Sequence, residues 1–277
     1  MSELLRAARY EVIPTAGIEE HILAAVPRTV TVTVTASPAK GLAATLDLSE
    51  RLVGHGYRVV PHLSARLIAD EAHLKDIVDQ LLALRVTDVF VPAGDANPPA
   101  GKYDGALGVL AELTAMGRPF PHVGITGYPE SHPAIDDDVT VQSMWDKRAH
   151  ATYIVSNLCF DHRVFAAWIA RVRRRGVDLP IMMGIAGPVE SAKLLKVAAK
   201  IGVGESAKFL SKRPSWLLRF AAPGGYNLDR LLERCAPTLT APESKIAGLH
   251  VFTFNQVAET ERWRRTLATP PATTAPA

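Results

Sequence analysis

The sequence predicts an α/β fold, a single (β/α)8 barrel, from three observations. Eight short runs rich in β-branched residues recur along the 277 residues, and helical patterns alternate with them. Strands that alternate with helices form a parallel sheet, and a count of eight favours a closed barrel over an open doubly wound sheet. No GxGxxG loop follows the first run, which also argues against an open dinucleotide-binding sheet.

The strands and helices are predicted in a regular order. The strand candidates are 9–15, 31–37, 57–63, 88–94, 122–128, 152–158, 180–186 and 249–254. The clearest helical patterns place apolar residues three and four positions apart, and they cover 41–56, 71–85, 104–117 and 160–176. Three of these four patterns end near a glycine, which commonly follows the last turn of a helix.

One interval breaks the spacing, because the seventh and eighth strands are much farther apart than any other pair. The extra segment, about 203–245, is expected to add helices beside the barrel mouth and to form no domain of its own. The barrel should therefore occupy residues 1–267. The final residues 268–277, "ATPPATTAPA", have nothing to bury, and they are expected to form a disordered tail.

The composition excludes several classes of protein. The formal net charge is only +3, and no basic stripe interleaved with aromatics indicates nucleic-acid binding. The two cysteines, Cys159 and Cys235, are far apart and have no partners at metal-ligand spacing, so neither a disulfide framework nor a zinc site is expected. There is no apolar run long enough for a membrane span and no signal-peptide pattern, so a cytoplasmic protein is expected.

Reactive groups of such a barrel gather at the carboxyl ends of its strands. Polar residues at or just after the predicted strand ends are Glu11, His62, Asp95, Tyr128, Glu130, His132, Asn157 and Asn255. Glu11 stands out because a lone carboxylate in an apolar strand is costly unless it is paired or protonated. No set of ligands at a recognisable metal spacing emerges, and no nucleophile elbow is present.

Each of these residues also has a structural interpretation. Glu11 is equally consistent with an ion pair to a barrel arginine or lysine, and His62 with a hydrogen-bonded core histidine. Asp95, within "PAGDANPP", is consistent with a simple turn residue. The residues alone therefore predict a barrel enzyme with an acid in its wall, and they name no substrate.

The ordered strand ends add a resemblance. "YEVIP", "VPHLSA", "AGD", "GYPESHP", "SNLCFD", "GIAGPV" and "HVFTFN" occur in this order along almost the whole chain. Together they resemble the methylenetetrahydrofolate reductase family, and "YPESHP" is the most specific of them. The resemblance implies reduction of 5,10-methylenetetrahydrofolate to 5-methyltetrahydrofolate. It also implies that Glu11 is the catalytic acid, that Asp95 is a catalytic and substrate-binding residue beside the pterin, and that Asn157 contacts folate.

At the positions where the family binds its cofactor, the sequence matches the family pattern in part and departs from it in part. His62, Tyr128 and His132 match flavin-pocket positions of the family. In contrast, Ala93 replaces a common arginine, and "TASPAKG" and "MWDKRAHAT" depart from the family pattern. These departures favour a flavin-independent member in which NADH gives hydride directly and FAD is absent. An FAD-dependent reductase, a non-redox folate-dependent one-carbon transferase and a non-catalytic pterin-binding protein remain alternatives.

Overall fold

The computed structural model describes residues 2–36, 38–130, 137–189 and 227–268, and its centre is an eight-stranded parallel sheet. The strands are β1 Arg9–Val12, β2 Thr31–Val34, β3 Val59–Pro61, β4 Asp88–Phe90, β5 His122–Gly127, β6 Tyr153–Ser156, β7 Ile181–Ala186 and β8 Ile246–Phe252. All eight predicted strands are present, most of them shorter than predicted. The exception is β8, which begins at Ile246 and so starts earlier than its predicted range.

The sheet closes into a barrel. Its strands follow the order β3-β2-β1-β8-β7-β6-β5-β4, so the first and last strands of the chain are neighbours. A parallel bridge between His62 and Phe90 joins the two ends of this order, and the Leu63 N–H donates to the Phe90 carbonyl at 2.8 Å. The predicted (β/α)8 barrel is therefore confirmed.

Helices cover the outside of the barrel. They are α1 Ser2–Arg6, α2 Ile18–Ala25, α3 Ala43–Gly54, α4 Glu71–Ala83, α5 Ala106–Ala115, α6 Asp137–Lys147, α7 His162–Arg174, α8 Leu228–Thr240 and α9 Val257–Ala268. The four helices predicted most clearly are confirmed, each two residues shorter at one end or both. In α7, the Asp161 carboxylate caps the first turn and Trp168 lies fully buried against the barrel.

The alternation of side chains along the strands produces two apolar layers. Alternate residues such as Tyr10 and Val12 of β1 pack outwards beneath the helices, in the large core. The barrel interior holds a smaller apolar cluster of Val60, Phe90, Tyr153, Val155 and Met182. Residues of β1 that face this interior are Arg9 and Glu11, which flank Tyr10 and point to the opposite side of the strand.

The long interval before β8 lies partly outside the described residues. Residues 203–226 of the predicted insertion are among those not described, as are 269–277 of the predicted tail. The described end of the insertion forms α8, which packs beside α7 on the outside of the barrel. Its expected place beside the mouth stays a prediction. Within the described ranges, no helix has both the length and the apolarity that a membrane crossing requires.

Candidate active site

A carboxylate and two histidines meet inside the barrel at the carboxyl ends of its strands. Oε2 of Glu11, a β1 residue, and Nε2 of His250, a β8 residue, share a hydrogen bond of 2.8 Å. The Nε2 atom of His62, just after β3, lies 3.9 Å from the same oxygen. We call these three residues the mouth cluster. The Glu11 side chain is 16% exposed and the His250 side chain 1%, so the carboxyl group alone reaches towards the opening.

His62 is a neutral residue of the mouth cluster. The pKa of His62 is lowered to about 4, mainly because the ring is buried. The nearby Glu11 carboxylate opposes this shift by raising the pKa, and His250 adds to the shift by lowering it. The imidazole packs edge-on against the Phe90 ring, with centroids 4.7 Å apart. A neutral His62 contributes no positive charge at neutral pH. The carboxylate of Glu11 is therefore not held by an ion pair with this residue.

The end of β8 also fixes the backbone around Glu11. The Thr253 hydroxyl donates to the Glu11 carbonyl at 2.6 Å. The Asn255 side chain then brackets Ile13, because its Oδ1 accepts the Ile13 N–H at 2.8 Å and its Nδ2 donates to the Ile13 carbonyl at 3.0 Å. Asn255 adopts a left-handed backbone with φ of 60°, which asparagine tolerates better than most residues. Three residues from one strand end thus contact the β1 segment that carries the acid.

Arg9, the other charged residue of β1, lies at the opposite end of the barrel from Glu11 and has partners of its own. Arg9 Nη1 contacts Asp88 Oδ2 at 2.9 Å and donates to the Tyr153 hydroxyl at 2.9 Å. The same hydroxyl donates to Asp88 Oδ1 at 2.7 Å. We call Arg9, Asp88 and Tyr153 the floor cluster. Across the described residues Glu11 has no lysine or arginine partner, so the ion-pair interpretation of Glu11 finds no support in this part of the chain.

Asp95 lies in the loop after β4, with an exposed side chain. Gly94 before it has φ of 85°, and an added Cβ would lie 1.8 Å from the Ser64 hydroxyl oxygen, so this turn requires glycine. The Arg66 guanidinium holds the same loop by donating to the Ala96 carbonyl at 2.7 Å. The loop that presents Asp95 at the carboxyl end of the barrel is therefore tightly constrained.

Asn157 and Tyr128 follow adjacent strands. The Asn157 N–H donates to the Gly127 carbonyl at 2.7 Å, and its side-chain oxygen accepts the Leu158 N–H at 2.7 Å. The asparagine oxygen is thus engaged in its own turn. Tyr128 directly follows β5 and is half-buried.

Two further residues of the "YPESHP" segment have different outcomes. The Glu130 carboxylate is buried, and it accepts the Phe160 N–H at 2.5 Å, which ties the loop after β5 to the loop after β6. His132 lies outside the described residues, so its assignment to the cofactor site stays a prediction. Two histidines and a carboxylate in the mouth cluster are also a familiar metal-ligand set. Even so, no group of three such side chains in the described part of the chain has a geometry that could hold a metal ion.

The comparison with protein families assigns the chain. A family model described as methylenetetrahydrofolate reductase matches residues 20–262. The chain belongs to the methylenetetrahydrofolate reductase family. The matched range begins after Glu11, so the interpretation of that residue rests on its own contacts and on the quoted first-strand motif.

Individual relatives agree with the methylenetetrahydrofolate reductase assignment. The chain is 29% identical over 184 residues to methylenetetrahydrofolate reductase 2 of Saccharomyces cerevisiae, covering 63% of this chain and 29% of the yeast protein. It is 35% identical over 65 residues to methylenetetrahydrofolate reductase 1 of Schizosaccharomyces pombe, covering 23% of this chain and 11% of that protein. The chain thus matches less than a third of the length of either relative.

Solved structures add a weaker likeness. Oxaloacetate acetylhydrolase in complex with the inhibitor 3,3-difluorooxalacetate aligns with a TM-score of 0.48 and 11% identity, over 86% of this chain and 90% of that chain. A putative lyase/mutase from Burkholderia cenocepacia J2315 gives a TM-score of 0.48 and 17% identity, over 88% and 98%. Likenesses at this score carry no argument about this methylenetetrahydrofolate reductase family member.

Sequence reasoning missed His250 as a member of the site. It lies inside the predicted strand "LHVFTF", where it is the single ionisable residue of an apolar run. That isolation is the same signal that marked Glu11. The parallel register places Arg9 opposite His250 and Glu11 opposite Phe252, and this pairing depends on β8 closing against β1. In this methylenetetrahydrofolate reductase family member, ring closure brings the histidine to the acid.

Proposed function

We propose that this protein reduces 5,10-methylenetetrahydrofolate to 5-methyltetrahydrofolate, with hydride passing directly from NADH and without a flavin. The observation that carries the proposal is the Glu11 carboxyl group, held by His250 at 2.8 Å at the mouth of a barrel of this family. A buried strand with one fixed, partly exposed carboxyl group offers a proton donor at a defined place.

Glu11 is the proposed proton donor to N10 of the folate. Protonation allows the bond between N10 and the bridging methylene carbon to break, and the electron pair of that bond stays on N10. The methylene carbon is then held as a cationic iminium on N5. Hydride adds to this carbon to form the methyl group, and Glu11 regains its proton from solvent.

Asp95 and Asn157 are the proposed folate-side residues. A fixed carboxylate near the pterin lowers the free energy of the iminium cation as its charge develops. The rigid turn at Gly94 supports this role, because a preorganised charge needs no rearrangement during the reaction. The Asn157 amide NH2 is the proposed donor to a pterin acceptor, since its oxygen is engaged by Leu158.

NADH is the proposed hydride donor, held in part by His62 and Tyr128, and by His132. A tightly bound FAD would need its pyrophosphate held by cations or by clustered N–H groups. Ala93 carries no charge. The Arg66 side chain already donates to backbone carbonyls, and His150 lies before β6, at the amino end of the barrel.

These departures at the flavin-side positions do not fit a firmly held flavin pyrophosphate, and they support direct transfer. NADH also carries a pyrophosphate, but it leaves in every turnover and needs no tight hold. Direct transfer does require that both substrates are bound together, with nicotinamide C4 near the iminium carbon.

An FAD-dependent reductase is the second candidate, because one observation fits it equally well. The Nε2 atom of His62 is buried and has no hydrogen-bond partner within the described ranges, at a position that matches the flavin pocket of the family. An unsatisfied buried nitrogen calls for a partner, which a flavin would supply as well as a nicotinamide would. The two candidates therefore differ in the occupant of one cleft.

The test combines a spectrum with an isotope experiment. The purified full-length chain is expected to be colourless in the visible range and to oxidise NADH only when 5,10-methylenetetrahydrofolate is added. NADH deuterated at the transferred position should yield product with one deuterium in the methyl group. The same reaction with ordinary NADH in heavy water should give a methyl group without deuterium, because direct transfer leaves no exchangeable intermediate.

Contrary results identify the alternatives. Yellow protein, activity that requires added FAD, or loss of the deuterium to solvent would establish a flavin carrier, since the hydrogen on a reduced flavin nitrogen exchanges with water. Folate turnover without NADH consumption would reject the reductase and leave a non-redox one-carbon transferase.

A further inference from the structure

The "HVFTFN" segment comprises the end of β8 and the turn after it. No residue of this segment takes part in the proposed chemical steps, yet three of its residues contact the β1 segment. His250 contacts the Glu11 carboxyl group, Thr253 the Glu11 carbonyl, and Asn255 both backbone groups of Ile13. The Thr253 and Asn255 contacts fix where the Cα of Glu11 lies. The His250 contact then decides how its carboxyl group is turned.

The buried ring of His250 favours one tautomer. Its Nδ1 atom is buried and finds no hydrogen-bond partner in the described part of the chain, whereas its Nε2 lies 2.8 Å from Glu11 Oε2. An unpaired buried N–H is rarer in proteins than an unpaired acceptor. The tautomer with the proton on Nε2 therefore fits better, because it leaves only a lone pair on Nδ1 and donates to Oε2.

This tautomer determines which carboxyl oxygen carries the acidic proton. When Glu11 is protonated, Oε2 already accepts from His250, so the proton belongs on Oε1. We propose that His250 is a positioning residue, which turns the Glu11 carboxyl group so that Oε1 presents its proton to the substrate. The inference rests on the proposed function, because it assumes that Glu11 is the acid.

His62 does not share this role. Its Nε2 lies 3.9 Å from Glu11 Oε2, which is too far for a hydrogen bond. Its ring packs edge-on against the Phe90 ring. It faces Oε2 of Glu11 but forms no hydrogen bond with that atom. Removing His62 should therefore leave the orientation of the Glu11 carboxyl group intact, whereas removing His250 releases it.

The kinetic test is a double-mutant cycle in the full-length enzyme. His250→Ala should lower kcat about 10- to 100-fold with little change in KM, because a misplaced acid slows chemistry more than binding. His250→Gln should recover part of this loss, since an amide N–H can donate to Oε2. The double variant His250→Ala/Glu11→Gln should be no slower than Glu11→Gln alone, because His250 acts through Glu11.

Tyr153→Phe is the matched control. It removes a buried hydrogen bond from the interior of the same barrel, in the floor cluster, and it should change stability without the same loss of kcat. Two outcomes would overturn the positioning role: a further loss of kcat from His250→Ala in the Glu11→Gln background, or a kcat in His250→Ala equal to that of the parent. Full activity in Glu11→Gln alone would instead reject Glu11 as the acid, and with it the mechanism proposed above.

A spectroscopic readout is independent of turnover. In protein labelled with ¹⁵N-histidine, the two-bond couplings of each ring report which nitrogen carries the proton, and His250→Gln identifies the signal by its loss. The expected result is that Nε2 of His250 carries the proton. A proton on Nδ1 would mean that Glu11 donates to the ring, and it would overturn the proposed orientation even if the kinetic results agreed with it.

Discussion

The mouth cluster and the floor cluster share one strand but differ in how completely they are paired. Glu11 and Arg9 are two residues apart on β1 and face the same interior. In the floor cluster, Arg9, Asp88 and Tyr153 form a closed set of three short contacts. In the mouth cluster, His62 Nε2 and His250 Nδ1 are buried, and neither has a hydrogen-bond partner among the residues that the structure describes.

This difference separates structure from chemistry within one barrel. Unsatisfied buried nitrogens cost free energy, and inside a barrel mouth a ligand or a reaction is one explanation for them. Burial raises the pKa of Asp88 in spite of Arg9, so the floor cluster tolerates charge only because each member supports the others. Changes at the mouth should therefore affect turnover, and changes at the floor should affect stability.

The largest expected effect is on turnover. Glu11→Gln keeps the shape of the side chain and an acceptor for His250, but it removes the proton donor. We expect kcat to fall by roughly 10²- to 10⁴-fold, the range associated with general acid catalysis. Steady-state kinetics would measure the loss, and urea unfolding should show nearly unchanged stability. A near-normal kcat would show that the mouth cluster does not supply the catalytic proton.

The next largest effect should be on stability. Arg9→Met leaves Asp88 buried without its cation, and we expect the free energy of unfolding to fall by about 3–5 kcal/mol. The folded fraction should keep its kcat. Arg9→Met/Asp88→Leu is the matched control, because removing both charges should restore most of the loss. A variant as stable as the parent would show that the floor cluster contributes nothing to stability.

A smaller effect should appear in the pH dependence of unfolding. The pKa of His62 is about 4 in the folded protein and near 6.5 in the unfolded chain, so only the unfolded state takes up this proton between these values. Stability should fall as the pH falls through this window, by about 2 kcal/mol at pH 5. Urea unfolding of His62→Gln and the parent would isolate this part, with Glu11 and His250 present in both. Equal slopes would mean that His62 titrates normally when folded.

The smallest expected effect is at the hydroxyl of the floor cluster. Tyr153→Phe removes one donor to Asp88 and one acceptor for Arg9, and we expect about 1–2 kcal/mol of lost stability. Thermal unfolding would show the loss as a lower Tm. A changed KM or kcat in this variant would mean that the two clusters are coupled through the barrel interior.

Most of the fold was predictable because strands and helices leave local patterns. All eight strands and the barrel class followed from alternating runs and their number. The early start of β8 was missed because "KIAG" before it resembles a loop. In the structure Gly248 lies within β8, where an added Cβ would be 2.8 Å from the Met182 side chain. Close packing within the strand therefore explains a glycine that is typical of a turn in the sequence.

The site was only partly predictable, because its pairings are made in three dimensions. Glu11 and His62 were named from their strand ends, and the structure brings them together. The partner of Glu11 could not be predicted, because the sequence is compatible with a contact to Arg9 as well as to His250. The choice depends on the height of each residue in the barrel. Arg9 lies lower on β1, level with Asp88 on the far wall, and this separation has no signature along the chain.

The hydrogen bond between His250 and Glu11 spans 239 positions of the chain, which has a consequence for how the protein is made. A ribosome releases Glu11 long before His250. Until His250 emerges, the acid has no histidine to orient it, and the strand that carries it has an unpaired edge where β8 will later lie. Since contacts of such long range form late, we expect nascent chains that stop before His250 to lack a finished catalytic centre, however much of the barrel has already folded.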